Sequence, residues 1–428
     1  MNMTIGHGIQ YTLIETQEHL ERSMMKLTSA PWIAIDTEFI PENQYRPLLC
    51  IIQIASPGEN FIIDCKYVHD LSPFLSILQN EKIVKITHAG KNDYEIIYEK
   101  YGILPKNVLD TQIANSFVEG VPGAGLGYLL SHMLDIEISK DEQNSDWWER
   151  PLTSDQINYA LRDVIYLHQL IEAILKRLHE IQRVEWAIQE SKRLEDQAYY
   201  AKDLTLPLLK NKWVRHLDIE DFALLLKIME WRESKAKENN TSPEYLIKFC
   251  DIRDILKSFF ECLDNQNMNG NTIPTKHRKH LARIHQLYTT ITNEDLENAV
   301  KVKNMLPPIE SQEPHFHWKY SLIKLIIKHY CNQIGFRFEM VCTSNELLHH
   351  LWNQTLDQSF LNRGWRKDLL DGSMIKVLGE SSDFKILFED DVISLTPTGN
   401  VLDHHHPPVE SFQASDTSER DLSTSNPA

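Results

Sequence analysis

Positive charge is what this sequence has too little of. Its 428 residues carry 44 lysines and arginines against 61 aspartates and glutamates, a net charge of −17. The chain as a whole therefore cannot enclose nucleic acid in a basic shell. Cysteine is scarce: the six, at 50, 65, 250, 262, 331 and 342, form no Cys-x-x-Cys. That excludes a zinc knuckle or a disulfide framework and fits a reducing compartment. Long apolar runs are absent too. The most apolar stretches, Leu48–Ala55 and Leu322–Ile327, suit core elements and not membrane spans. Met1–Gln10 shows no charged n-region followed by an apolar h-region, so no secretory signal is expected. With 42% hydrophobic and 25% charged residues, the composition is that of a globular, cytoplasmic protein of two to four domains with no membrane partner.

The charge deficit is uneven. Residues 1–200 hold 17 basic and 29 acidic residues, net −12; residues 201–379 hold 25 and 22, net +3; residues 380–428 hold 2 and 10, net −8. The first segment alternates short β-branched stretches with helical patterns. The strands are expected over Trp32–Ile40, Leu48–Ala55, Asn60–Cys65 and Lys82–Thr87. The helices are expected over Leu71–Gln79, Asp93–Tyr101 and, longest, Ser154 to about Glu190, which opens at a Thr153 cap. This order predicts one α/β domain with a mixed sheet. The second segment reads as helical throughout, divided by Pro307-Pro308 and Pro314. The third is a tail, rich in Ser, Thr, Pro and acid from Gly399 onward and expected to be disordered, with His404–His406 a solvated run.

Chemistry is suggested by Asp36-Thr37-Glu38. In a strand, positions i and i+2 share a face, so two carboxylates project side by side from the apolar stretch WIAIDTEFI. Acid on an apolar face needs a partner, and a divalent cation is a natural one. Tyr159 and Asp163, four apart in NYALRDVIYL, share a helix face. Asp93 follows a strand end and Gly90, at the start of a helix. Asp110, at a similar junction, is expected to cap the helix that follows it. Four carboxylates converging from two strand regions and two helices suit a two-metal site for phosphodiester cleavage. Tyrosine is a poor base, with an unperturbed pKa of about 10, so Tyr159 is expected to orient the attacking water.

These stretches, DTEF, HAGKNDYEIIYEKYG with LDTQIA, and SDWWERPLTSDQINYALRDVIYL, resemble the three motifs of the ribonuclease D family, DEDD exonucleases with tyrosine in the third motif. The resemblance implies a ribonuclease H-like mixed sheet and 3′–5′ hydrolysis of RNA to nucleoside 5′-monophosphates. It implies two Mg²⁺ ions (Mn²⁺ being the other option) and structured RNA substrates, including tRNA precursors. It assigns Asp36, Glu38, Asp93 and Asp163 as metal ligands and Tyr159 as the fifth catalytic residue. Asp36 would bridge both ions, and Glu38 would also accept from the terminal 3′-hydroxyl. The segment DIEDFALLLKIMEWRESKAKENNTSPEYLI resembles the opening of an HRDC domain, and residues 300–376 a second, more divergent copy. The implied domains are an exonuclease domain over 1–200 and HRDC-type helical domains over 205–292 and 295–378; residues 380–428, expected to be an acidic disordered tail, lie outside the resemblance, and the chain is expected to be a monomer.

Several residues admit two readings. His88 is either a hydrogen-bonded junction residue or a phosphate contact. Trp147 either stacks on a terminal base or packs in the core, and Arg150 beside it is a candidate nucleic-acid contact. Lys276, Arg278, Lys279 and Arg283 lie in the net-positive segment and are either a solvated face or a contact to the phosphate backbone. Two other functions stay open at this point: a DNA 3′–5′ exonuclease, and a catalytically silent RNA-binding scaffold.

Overall fold

The sheet begins with two strands that the sequence pattern does not single out, β1 (Asn2–Ile5) and β2 (Ile9–Ile14), paired antiparallel. The computed structural model describes residues 2–5, 8–40, 45–138, 142, 145–200, 205–264, 275–355, 359–370, 384–389 and 392–397. After α1 (Gln17–Leu27) come the strands that carry the site: β3 (Trp32–Ile40), β4 (Leu48–Ser56) and β5 (Glu59–Asp64). They form an antiparallel meander. Next come α2 (Ser72–Leu78), β6 (Val84–Thr87), α3 (Lys91–Tyr101) and β7 (Val108–Asp110), with β6 and β7 added parallel to β3 through helical crossovers. The seven strands lie in the order β1-β2-β5-β4-β3-β6-β7, a mixed sheet as expected.

Leu49 to Ser56 of β4 are all buried, as in a central strand covered on both faces. One face carries Ile33, Ile35, Ile52 and Ile54 against α1, α2 and α3. The other carries Cys50, Ile51 and Ile62 against Trp147, Ile157 and Leu161.

The chain continues through α4 (Thr111–Glu119), α5 (Leu126–Leu134), α6 (Ser154–Ile165), which lies on that second face, α7 (Leu167–Glu180) and α8 (Val184–Ser191). The single helix expected from Ser154 to about Glu190 is therefore three. The chain breaks at Tyr166 and again near Gln182, whose φ is +56°. Neither break contains glycine or proline. Each helix has its own partner: α6 packs on β3 and β4, α7 on α4, and α8 on α4 and β7. Tertiary packing overrides a continuous periodicity.

The helical half starts with α9 (Thr205–Lys210), α10 (Ile219–Asn239), α11 (Pro243–Leu246), α12 (Phe249–Asp264), α13 (Thr275–Thr289) and α14 (Asn293–Met305). Their common core holds Phe222, Leu225, Ile228, Phe259, Ile284, Ala299 and Leu306. A division between 292 and 295 would cut this bundle. The Thr292 capping box starts α14, and Lys227 of α10 pairs with Asp295 at 2.9 Å, so α14 belongs with the helices before it.

The last helices, α15 (Pro314–Gln333), α16 (Phe338–Val341), α17 (Ser344–Trp352) and α18 (Gly364–Leu370), lock onto the nuclease layer. Phe117 of α4 and Trp186 of α8 meet Phe336 and Trp365 edge-on or tilted, with ring centroids 4.9–6.2 Å apart. Glu190 accepts from both terminal nitrogens of Arg366, at 2.5 and 2.9 Å, and from the Trp365 indole at 2.7 Å. Burial alone would raise the Glu190 pKa; the Arg366 hydrogen bonds and charge reverse this and hold it at about 2. Where the two layers touch, Gly120 has φ +70°, and a Cβ there would lie 1.9 Å from the Gly335 carbonyl oxygen.

Residues 380–428 form a separate unit, expected to be disordered. Within it β8 (Phe384–Glu389) and β9 (Val392–Pro397) pair antiparallel, which corrects that expectation for these two segments. FKILFE and VISLTP are rich in β-branched and aromatic residues, and that composition favours strands. His404–His406 lie outside the described residues. Among the described residues no helix is long and apolar enough to cross a membrane.

Arg366→Ala would leave the Glu190 carboxylate buried without its bidentate partner, at an expected cost of about 3–5 kcal/mol. Replacing both, as Arg366→Met with Glu190→Leu, should cost less than the single change in denaturant unfolding of the full chain. The folded pKa of Glu190 lies below its unfolded value. The pair's contribution is therefore complete above about pH 5 and is lost as pH falls toward about 2.

Candidate active site

β3 presents Asp36 and Glu38 on one face, with Thr37 turned to the other. Opposite them the register of β4 slips: Glu38 pairs with Ile51 but Phe39 with Leu49, so Cys50 is the extra residue of a bulge. Bulges twist a strand locally and re-aim the side chains beside them. α6 reaches this place with its start fixed by a capping box, Gln156 N donating to Thr153 Oγ1 at 3.1 Å and Thr153 N to Gln156 Oε1 at 3.0 Å. One helical turn apart, Tyr159 and Asp163 then face the strand, and the Tyr159 hydroxyl donates to Asp163.

One oxygen each from Asp36, Glu38 and Asp163 lies within 4.8 Å of the other two. Asp93 stays out of this trio but borders the same cavity of about 440 Å³. It is buried, with Oδ1 accepting from Thr37 Oγ1. Its helix is held by Asp110. Asp110 caps α4 as expected, accepting from Gln112 N at 2.8 Å and Ile113 N at 3.1 Å. The same carboxylate also accepts from Ala89 N at 3.2 Å and Gly90 N at 2.9 Å, which fastens the turn from which α3 departs. That turn needs Gly90, because a Cβ there would lie 2.3 Å from Thr87 Oγ1.

Gln53 is a residue that the sequence pattern does not reveal as part of the site. It is the cross-strand partner of Asp36, fully buried, and its Nε2 donates to Asp36 Oδ2 at 3.3 Å. The only sign of it in sequence is one amide in the apolar run LLCIIQIA. Leu126, on the cavity wall, is likewise unannounced.

Burial raises the pKa of all four acids, and their neighbours' negative charges add to it. Asp36 rises well above the usual carboxylate range, Glu38 to about 9, Asp163 to about 7 and Asp93 to about 6. The hydrogen bonds from Tyr159 and Thr37 pull the last two back. Burial, and after it the Asp163 charge, pushes the Tyr159 hydroxyl upward. Among the described residues no lysine or arginine lines the cavity. Carboxylates gathered without an organic cation either keep protons or take a metal. Oxygen-only donors at this density fit a hard divalent ion such as Mg²⁺ or Mn²⁺.

His88 borders the cavity, its Nδ1 hydrogen-bonded to Thr111 Oγ1 at 2.9 Å, and burial lowers its pKa. Two candidates for RNA contact are corrected. Trp147 is buried in the core beneath α6, 2% exposed, and cannot stack on a base. Arg150 is held inside by Asp64, at 2.5 and 2.7 Å, and by the Trp147 carbonyl at 2.7 Å, so its charge is already spent within the fold. On α13, Arg278 is exposed, while Arg283 lies over the Trp231 ring at 5.1 Å and donates to Gln286. Neither lines the acidic cavity. The side chains of Lys276 and Lys279 lie outside the described residues.

Residues 11–179 match the family model described as 3′–5′ exonuclease. The chain is 28% identical to ribonuclease D of Bartonella henselae over 368 residues, which is 85% of this chain and 89% of the relative. It is 34% identical to ribonuclease D of Sphingobium indicum over 251 residues, covering 57% of this chain and 63% of that one. Among solved structures, Escherichia coli RNase D, an exoribonuclease involved in structured RNA processing, superposes with a TM-score of 0.71. The alignment covers 88% of this chain and all of that one at 23% identity, so it shows the shared fold, an exonuclease α/β domain followed by a helical region.

The raised carboxylates make metal binding and stability depend on pH. The folded, metal-free protein holds more protons than the unfolded chain between about pH 4 and 9, so its stability falls as pH rises through that window. Mg²⁺ or Mn²⁺ should therefore raise the melting temperature more at pH 8 than at pH 5.5. Asp163→Asn should raise the melting temperature of EDTA-treated protein by about 2–4 °C and shrink the metal-induced increment. A metal response untouched by that substitution would remove these acids as the cation site.

Proposed function

We propose that the chain is a 3′–5′ exoribonuclease of ribonuclease D type, which shortens RNA from the 3′ end to nucleoside 5′-monophosphates, with Asp36, Glu38, Asp93 and Asp163 holding two divalent ions. The observation that carries this reading is the cavity in which three carboxylates come within 4.8 Å of one another with no lysine or arginine among the described residues of its wall. Bound there, such ions supply a water of lowered pKa and neutralise charge that develops on the phosphate.

The remaining roles follow from the side chains themselves. Tyr159 keeps its proton at any physiological pH, because burial and the Asp163 charge both disfavour the phenolate. It is therefore no general base. Its O–H is committed to Asp163, which leaves an oxygen lone pair to accept from the attacking water and fix its direction. Gln53 and Thr37 donate to Asp36 and Asp93 and hold their rotamers. Glu38 would accept from the terminal 3′-hydroxyl, and Leu126 offers an apolar wall to the last sugar or base. We read the helical half as HRDC-type modules and the substrates as structured RNA 3′ ends, tRNA precursors among them. Likeness to ribonuclease D relatives supports RNA, and likeness to the E. coli enzyme, which takes part in structured RNA processing, supports structured RNA. We place the enzyme in the cytoplasm, as a monomer.

Asp36→Asn should lower hydrolysis of 3′-labelled RNA by about 10³-fold or more while leaving RNA binding measurable. Tyr159→Phe should lower kcat by about 10²-fold with little change in KM. Matched RNA and DNA oligonucleotides separate the ribonuclease from a DNA exonuclease through contacts to the 2′-hydroxyl. Intact RNA after incubation of the wild-type chain with Mg²⁺ and Mn²⁺ would overturn the reading.

A further inference from the structure

A second cavity, of about 460 Å³, lies where the nuclease sheet meets the first helical bundle. Leu48 and Leu49 of β4 and Ile96 of α3 line its apolar part. Three cations from three separate segments also line it: Arg46 just before β4, Lys100 in the last turn of α3, and Lys237 in the last turn of α10. All three are exposed, and among the described residues none of them meets a carboxylate. Glu99 is the one acid among the described residues of the wall, so the lining carries an excess of positive charge.

The junction that gathers these cations is built from both sides. The Tyr45 hydroxyl donates to Glu233 Oε1 at 2.5 Å, and Arg46 N donates to Asn240 Oδ1 at 3.3 Å. Asn240 ends α10 in a left-handed conformation, with φ +48°. The segment carrying Arg46 and the helix end carrying Lys237 are thus fixed to each other. Like charges held together repel, and an anion between them removes that cost.

The place of this cavity relative to the acids is informative. Asp93, Ile96 and Lys100 fall on one stripe of α3, and seven residues of helix span about 10 Å. Asp93 borders the acidic cavity and Lys100 the basic one. Phe39, on the wall of the first, is the strand partner of Leu49, on the wall of the second. The two cavities therefore share a helix and a strand pair.

We propose that this cavity is a phosphate subsite, in which Arg46, Lys100 and Lys237 hold the backbone of the substrate strand upstream of the bond being cut. The inference rests on the exonuclease reading. The phosphate is that of the strand, and the alternative source, a released mononucleotide, is separated by the test. The arrangement also explains how a chain of charge −17 grips RNA at all: locally, through a few phosphates, with the affinity falling steeply as salt rises.

The test uses the full chain carrying Asp36→Asn to halt hydrolysis, with and without Arg46→Ala, Lys100→Ala and Lys237→Ala together. Fluorescence anisotropy compares a trinucleotide with an RNA of about 15 nucleotides over a range of KCl concentrations. The triple change should weaken the longer RNA about 10-fold or more and lower the salt slope by about 2, the value for three single-strand phosphates. The trinucleotide should bind as before. A charge-keeping variant, Lys100→Arg with Lys237→Arg, should retain both affinity and slope, which controls for folding. Unchanged affinity and slope for the longer RNA, in a protein whose wild-type form cleaves RNA, would overturn the subsite and leave the exonuclease reading standing. So would a triple variant that loses only 5′-AMP binding, which would assign the cations to a mononucleotide. A wild-type chain that neither binds nor cleaves RNA would overturn the exonuclease reading, and the subsite with it.

Discussion

Four carboxylates that repel one another are held in one cavity, and the rest of the nuclease layer is arranged around that fact. The acids come from β3, α3 and α6, so no single element bears the whole repulsion. The fold meets each of three acids with a neutral donor and not with a cation: Gln53 for Asp36, Thr37 for Asp93, Tyr159 for Asp163. A lysine or arginine would have satisfied the charge within the protein and closed the site. Neutral donors orient the oxygens and leave the electrostatic deficit for an ion to fill. Asp64 makes the contrast within the same sheet. It is fully buried, and there Arg150 completes the pair, and the result is structural.

That contrast also marks what is legible in the sequence. DTEF inside an apolar strand and the i, i+4 spacing of Tyr159 and Asp163 declare their faces through simple periodicity, and the four strands and most helices near them follow the same logic. What stays hidden depends on partners distant in the chain. Arg150 beside Pro151 looks like a surface cation until Asp64, eighty-six residues earlier, is seen to enclose it. Gln53 has no pattern of its own; it matters because the register sets it opposite Asp36. The breaks at Tyr166 and Gln182 leave no proline or glycine behind, since they arise where three helices find three different surfaces. β1 and β2 escape notice because NMTI and IQYTLI are short and only weakly alternating.

Net charge misleads in the same way, because it averages over regions that do different work. The acids concentrate where a metal is expected. Cations that meet no carboxylate among the described residues stand at a domain junction, contributed by segments 46, 100 and 237 that share no motif. Each alone is an unremarked surface residue, and only the tertiary fold makes them a group. The basic stretch around Arg278 and Arg283 shows the converse. It is conspicuous in sequence, yet Arg283 is occupied by Trp231 and Gln286 within its own bundle.

The seam between the nuclease layer and the last helices bears on how this protein can be dissected. Phe117 and Trp186 are covered by Phe336 and Trp365, and the Glu190 carboxylate is neutralised by Arg366 across the same seam. A fragment ending after the first helical bundle would bare that aromatic surface together with a half-desolvated acid. Such a patch invites self-association. Loss of activity in a truncated chain would then report insolubility of the fragment as readily as any part the missing helices play in handling RNA. Point substitutions along the seam, made in the intact chain, separate the two.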